Sequence, residues 1–104
     1  MSKNKLIREL TNLLAIALRH KIGGIVNFNE IYAQKYSKDA EVLMKGAEKI
    51  SFGKNWNAKD KARIKQELTK KLKSELESKD FLDNQKFDIM DNEIEKALKN
   101  LGLA

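Results

Sequence analysis

The longest unbroken apolar run of this chain is Leu13-Leu14-Ala15-Ile16-Ala17-Leu18, in a sequence in which 35% of the residues are charged. A helix that passes through this run has apolar side chains on nearly all of its sides. We therefore predict a central helix around which the other helices are arranged, or a helix that also contacts a partner subunit.

The residues around this run predict a first helix over about residues 2–22. Apolar side chains recur at spacings of three and four, which places them on one helical face. They are Leu6, Ile7, Leu10, Leu13, Leu14, Ala17 and Leu18. Gly23 follows as the expected stop, because a left-handed residue commonly ends a helix at this position.

A second helix is predicted over about residues 28–51. Asn27 can cap its start, with Glu30 three residues later and a hydrophobic staple between Val26 and Ile31. Gly53 is the expected stop of this helix.

The third helix is predicted over about residues 58–79, with Asn57 as its cap and Asp60 at the third helical position. Its apolar stripe has strict four-residue spacing and consists of Ile64, Leu68, Leu72 and Leu76. The opposite face carries mostly lysine and arginine and is expected to meet water or a polar partner.

A connection over about residues 81–86 precedes a fourth predicted helix at about 87–101, with Gly102 as its stop. The chain has no proline and no long alternating strand pattern. We predict one all-α domain over residues 1–104, folded as a four-helix antiparallel bundle. A three-helix core with a loosely docked C-terminal helix is the alternative.

The composition argues against most kinds of catalytic and metal site. The chain has no cysteine, which excludes thiolate chemistry. His20 is its only histidine, so it is the only histidine that could act as the base of a catalytic triad. The acidic residues near the fourth helix lack the spacing and the glycine of a calcium loop. We predict a protein that is not an enzyme and has neither a cofactor nor a bound metal.

No stretch approaches the roughly 20 apolar residues of a membrane span. The apolar run that follows the basic N-terminal residues is also shorter than the roughly 7 to 15 residues of a secretory signal. The sequence therefore predicts a cytoplasmic protein without a membrane partner.

The net charge of +6 is unevenly distributed. Residues 54–73 contain eight basic residues against Asp60 and Glu67. Lys59, Lys61 and Arg63 lie in the first turns of the third helix, where the helix dipole favours anions, and such a broken local rule can mark a functional site. We take Lys54, Asn55, Trp56, Lys59, Lys61, Arg63, Lys70 and Lys73 as a candidate anion or nucleic-acid surface, with Trp56 as a possible stacking platform.

Two functional hypotheses follow. The first is a protein-interaction module that binds another protein or itself, because the apolar turn of the first helix and the apolar flank of the second exceed what a small bundle can bury. Its candidate interface residues are Ile16, Ile31, Val42 and Met44. The second is a nucleic-acid-binding protein that uses the basic surface around residues 53–73.

Overall fold

The computed structural model describes the backbone of residues 2–26, 30–79 and 85–104, and the side chains of these residues except 30–33. All regular secondary structure in this part of the chain is helical. The helices are α1 (Lys3–Val26), α2 (Glu30–Ser51), α3 (Ala58–Glu77), α4 (Gln85–Asp88) and α5 (Met90–Asn100). The predicted all-α class is confirmed.

The helical segments alternate in direction along the chain. A β-carbon added at Gly46 would lie 3.5 Å from Leu13, and one at Gly23 would lie 3.3 Å from Tyr36, so α2 is antiparallel to α1. Ion pairs near both ends of α1, from Lys3 to Asp60 and from Arg19 to Glu75, show that α3 runs parallel to α1.

The C-terminal segment returns along α3. Lys86 contacts Lys79 near the end of α3, and Glu95 pairs with Lys65 nearer its start. The four helical segments, with α4 and α5 counted as one, therefore form the predicted up-and-down arrangement.

Helix α1 is the central element, as the apolar run predicts. Leu14, Ala15, Ala17 and Leu18 are at most 3% exposed, whereas Leu13 and Ile16 are half-buried. In the described part of the chain, α1 packs against each of the other helices, and α2 packs against α1 alone. The protein is thus built from α1 with α3 and the C-terminal segment around it, and α2 as a flanking helix.

Gly23 does not end α1, so this part of the prediction is wrong. The helix continues to Val26, and Gly23 is buried within it. A β-carbon at this position would lie 3.3 Å from the ring of Tyr36, which is closer than most such contacts. Gly23 therefore allows α2 to approach α1 closely. The predicted cap at Asn27 and the staple to Ile31 fall outside what the structure describes.

The predicted leucine stripe of α3 is buried. Ile64, Leu68, Leu72 and Leu76 are each 0% exposed, and they pack with α1 and with Ile94 and Leu98 of α5 in one core. Because α5 contributes several buried side chains and contacts both α1 and α3, the C-terminal helix is an integral part of the core.

The fourth predicted helix begins earlier than expected and is divided. Gln85 and Lys86, assigned from sequence to the connection, lie in α4, and a turn at Ile89 separates α4 from α5. Lys86 is only 3% exposed, and its Nζ donates to the carbonyl of Lys79 at 2.7 Å. A cation that meets a carbonyl oxygen near a helix C-terminus is favourable, which explains how Lys86 can be buried in α4.

The predicted stops at Gly53 and Gly102 are confirmed. Both have left-handed backbones, with φ of 78° and 70°. After α5, the amide of Leu103 donates to the carbonyl of Leu98 at 2.8 Å, and that of Gly102 to Lys99 at 3.1 Å. This is the Schellman pattern, and it brings Leu103 into the core. None of the described helices has the length and apolar character that crossing a membrane requires.

Candidate functional site

The start of α3 has the capping arrangement that the sequence predicts. The side chain of Asn57 accepts from the amide of Asp60 at 2.8 Å, and the carboxylate of Asp60 accepts from the amide of Asn57 at 3.2 Å. Lys3 adds an ion pair to Asp60 at 2.6 Å. The hydrogen bond from Lys3, followed by the one from Asn57, holds the pKa of Asp60 below its usual value. The carboxylate of Asp60 is therefore already engaged in capping the start of α3.

Trp56 covers the end of the core. Its indole Nε1 donates to the carbonyl of Ser51 at 2.9 Å, and its ring packs against the buried cluster. The ammonium of Lys3 lies 5.9 Å from the ring centroid. These contacts give Trp56 a structural role in the fold that requires no ligand. A stacking role for Trp56 stays a prediction.

The predicted basic residues do not form one continuous site. Lys54, Asn55, Trp56 and Lys61 line a shallow depression at the start of α3, together with Lys3, Asn57 and Gly102. Lys59 and Lys73 are exposed on the outside of α3. Arg63 and Lys70 line a separate groove.

This second depression, here called the α1–α3 groove, lies between the two parallel helices. Its lining comprises Arg8, Asn12, Arg63, Glu67, Lys70, Lys71 and Ser74. A neighbouring depression continues it along the same two helices toward Ile16 and Glu75. Four cations thus surround a groove whose own lining has one carboxylate, Glu67. Arg8, Asn12 and Lys71 are not among the residues singled out from the sequence.

The carboxylate of Glu67 is engaged by Arg63. The guanidinium Nε of Arg63 donates to Glu67 at 3.1 Å, one turn along α3, and its Nη1 donates to Asn4 of α1. Arg63 therefore connects the two helices and neutralises Glu67. The other three cations of the groove have no ion pair to a carboxylate among the described residues.

Lys71 is held in place across the groove. Its ammonium donates to the hydroxyl of Thr11 at 2.5 Å and to the carbonyl of Arg8 at 3.4 Å. Thr11 in turn donates to the carbonyl of Ile7 at 2.8 Å. Desolvation by burial, with a further contribution from the charge of Arg8, lowers the pKa of Lys71 despite the opposing effect of Glu67.

The opposite flank of α3, which faces α5, has a different electrostatic character. Lys65 pairs with Glu95 at 2.6 Å, which raises the pKa of Lys65 and lowers that of Glu95. Glu93 has a side chain only 5% exposed and lies 2.7 Å from the ammonium of Lys21 and 3.5 Å from that of Lys96. Lys21, Lys65 and Lys96 on this side of the molecule each lie within ion-pair distance of a carboxylate.

The residues predicted as a protein interface lie in different surroundings. Ile16 lines the extension of the α1–α3 groove and is half-buried. Met44 is partly buried against the core, whereas Val42 is 72% exposed. The side chain of Ile31 lies outside the described residues. Val42 is thus an exposed apolar residue on the surface of α2.

His20 lies where α1 meets α2. Its Nε2 is 3.2 Å from the Nη2 of Arg19, and its ring centroid is 5.7 Å from that of Tyr36. Burial, followed by the charge of Arg19, lowers the pKa of His20. Arginine can only donate, so the histidine nitrogen accepts in this contact and is unprotonated.

The described side chains contain no group of three or more histidine, cysteine or acidic residues that could hold a metal ion. Comparisons of the chain with protein-family models, with curated proteins and with solved structures find no match.

Proposed function

We propose that this chain is a non-enzymatic binding module for the phosphate backbone of a nucleic acid, held along α3 and the α1–α3 groove. The observation that supports this is the excess of cations over carboxylates in the groove. Arg8, Lys70 and Lys71 have no carboxylate partner among the described residues, and Glu67 is already paired with Arg63. Neutralising backbone phosphates is the main source of affinity in such proteins.

The outer face of α3 extends this positive surface. Lys59, Lys70 and Lys73 are exposed, and none of them forms an ion pair within the described residues. At about 1.5 Å rise per residue, Lys59 and Lys73 are separated by roughly 21 Å along the helix. This length corresponds to roughly six phosphates of one strand of a duplex.

A nucleic acid fits the groove better than a protein partner does. Protein interfaces depend on a few apolar or aromatic side chains that fill pockets in the partner. Most residues that line the groove and its extension are charged or polar, such as Asn12 and Ser74, and Ile16 is the largest apolar residue among them. Phosphate contacts need only such donors and carry no sequence information by themselves. We expect binding that is independent of base sequence.

The test is the affinity for a fluorescein-labelled DNA duplex of about 20 base pairs, measured by fluorescence anisotropy at two salt concentrations. If about four phosphates are neutralised, the affinity should fall on the order of 100-fold between about 50 and about 200 mM NaCl. No binding at the lower salt, or binding that salt does not weaken, would rule out the proposal.

Two triple variants locate the binding surface. Lys59→Glu, Lys70→Glu and Lys73→Glu together reverse three charges on α3 and should weaken binding by at least about 100-fold. The matched control reverses Lys38, Lys45 and Lys49, which are exposed on α2. It changes the net charge by the same amount and should weaken binding less than about fivefold. Equal losses in the two variants would contradict a site on α3.

Polyglutamate serves as a competitor that carries carboxylates in place of phosphates. We expect it to displace the duplex poorly at equal charge concentration, because duplex DNA carries about one negative charge per 1.7 Å of its axis and the release of its condensed counterions drives binding. If polyglutamate competes as well as unlabelled DNA, the partner is an acidic protein and the nucleic-acid proposal is wrong.

A further inference from the structure

The ammonium of Lys71 is positioned before any ligand arrives. Two of its three N–H groups are directed to Thr11 and to the carbonyl of Arg8. Thr11 is buried and its own hydroxyl is anchored to Ile7. Lys71 therefore pays less conformational entropy on binding than a freely moving surface lysine, and one N–H remains to donate into the groove.

The groove around Lys71 gathers further positive charge. Arg8 reaches it from α1, and Lys70 from α3. The nearest carboxylate of the groove lining, Glu67, is bound by Arg63. Like charges that share a partly desolvated groove repel each other, so the arrangement is unfavourable until an anion enters it.

We propose that Arg8, Lys70 and Lys71 form a phosphate subsite that holds one backbone phosphate and fixes where the strand crosses α1 and α3. This inference rests on the proposed nucleic-acid binding, to which it adds a defined point of contact. The guanidinium of Arg8 supplies paired donors for two phosphate oxygens, and the two ammonium groups supply single donors. Desolvation by burial, followed by the charge of Arg8, lowers the pKa of Lys71, in agreement with a partly desolvated ammonium beside a second cation.

The experiment uses inorganic phosphate as the probe and follows the Lys71 side chain by NMR at constant ionic strength, with chloride as the balancing anion. We expect a saturable shift of the Lys71 Cε signal and a higher Lys71 pKa when phosphate is bound, because an adjacent anion favours the charged form. A shift that rises linearly without saturation, or no shift, would overturn the subsite.

Arg8→Gln is the test variant, since Arg8 is exposed and its replacement leaves the core intact. It should weaken phosphate binding about tenfold, as expected for the loss of charge-assisted hydrogen bonds. Lys49→Gln, an exposed lysine on α2, is the matched control and should weaken it less than about twofold. Equal effects of the two variants would overturn the subsite.

The duplex measurement separates the two proposals. Duplex binding that Arg8→Gln leaves unchanged would overturn the subsite and keep the proposed function. Saturable phosphate binding at Lys71 without any duplex binding would overturn the proposed function, together with the role of the subsite in holding a strand.

Discussion

The two flanks of α3 differ in how their cations are neutralised. On the flank that faces α5, Lys65 pairs with Glu95. The buried carboxylate of Glu93, also on α5, is paired with Lys21 of α1 and Lys96 of its own helix. On the flank that faces the α1–α3 groove, Lys71 is bonded to a hydroxyl and a carbonyl instead of a carboxylate. One helix thus carries lysines in two opposite environments.

This difference distinguishes charges that stabilise the fold from charges that do not. The ion pair between Lys65 of α3 and Glu95 of α5 links two helices that share the core. Arg8, Lys70 and Lys71 in the groove form no ion pair with a carboxylate among the described residues. Their mutual repulsion lowers the stability of the free protein. A bound polyanion would remove this repulsion, which is the physical reason for assigning the binding function to the groove side.

The largest effect on stability is expected when the buried carboxylate of Glu93 loses its closest partner, Lys21. Lys21→Ala leaves Glu93 with only the longer contact to Lys96, and should lower the free energy of unfolding by about 1 to 2 kcal/mol, less than for a fully buried pair because Lys21 is half exposed. Urea denaturation measures this.

Glu93→Gln is the control for this prediction. It removes the buried charge and leaves Lys21 and Lys96 free to reach water, so its cost should be smaller than that of Lys21→Ala. A larger loss in Glu93→Gln would mean that the carboxylate contributes more attraction than its burial costs, contrary to our interpretation.

Replacing one lysine on each flank by methionine should lower stability on the α5 side only. Lys71→Met removes a desolvated charge and should leave the free energy of unfolding unchanged or raise it by up to about 1 kcal/mol. Lys65→Met removes the partner of Glu95 and should lower the melting temperature. Thermal denaturation of both variants at low salt measures the difference. Destabilisation of equal size in both would remove the distinction between the flanks.

A smaller effect on stability is expected from the protonation of His20, which lies next to Arg19 in the C-terminal half of α1. The charged groups that act on it are Arg19, Asp39, Glu75 and Lys79. Because its pKa is lowered by folding, the unfolded chain binds the proton more tightly. The stabilisation is therefore complete above about pH 6.5 and decreases as the pH falls toward the folded pKa.

Thermal melts between about pH 7.5 and about pH 5 measure this dependence, and His20→Gln should flatten it. The carboxylates of Asp60 and Glu95, whose pKa values are lowered, titrate below this window. A wild-type profile identical to that of His20→Gln would refute the contribution of His20.

Most of the helical architecture could be predicted because its signals are local. The four-residue spacing from Ile64 to Leu76 defines the buried face of α3, and Asn57 with Asp60 defines its start. Gly53 and Gly102 end their helices as expected. Gly23 misled the prediction because its role is set by Tyr36, a contact between helices that no local pattern contains.

The groove could not be derived from the sequence for a similar reason. Lys71 meets Thr11 across 60 positions of the chain and Arg8 across 63. Periodicity shows which face of each helix is polar, but it does not show which polar faces meet. The sequence suggests a stacking role for Trp56 because it is the only tryptophan and lies among lysines. Its hydrogen bond to the carbonyl of Ser51 depends on the folded turn and could not be predicted.

The most direct test of the account is a map of backbone amide chemical-shift changes when the protein is titrated with the DNA duplex. We predict changes concentrated on the groove side, at Arg8, Asn12, Lys70 and Ser74, with little change at Lys65, Glu95 and Lys99. Changes concentrated on the α5 side, or spread evenly over both flanks of α3, would contradict the claim that the groove flank is the binding surface.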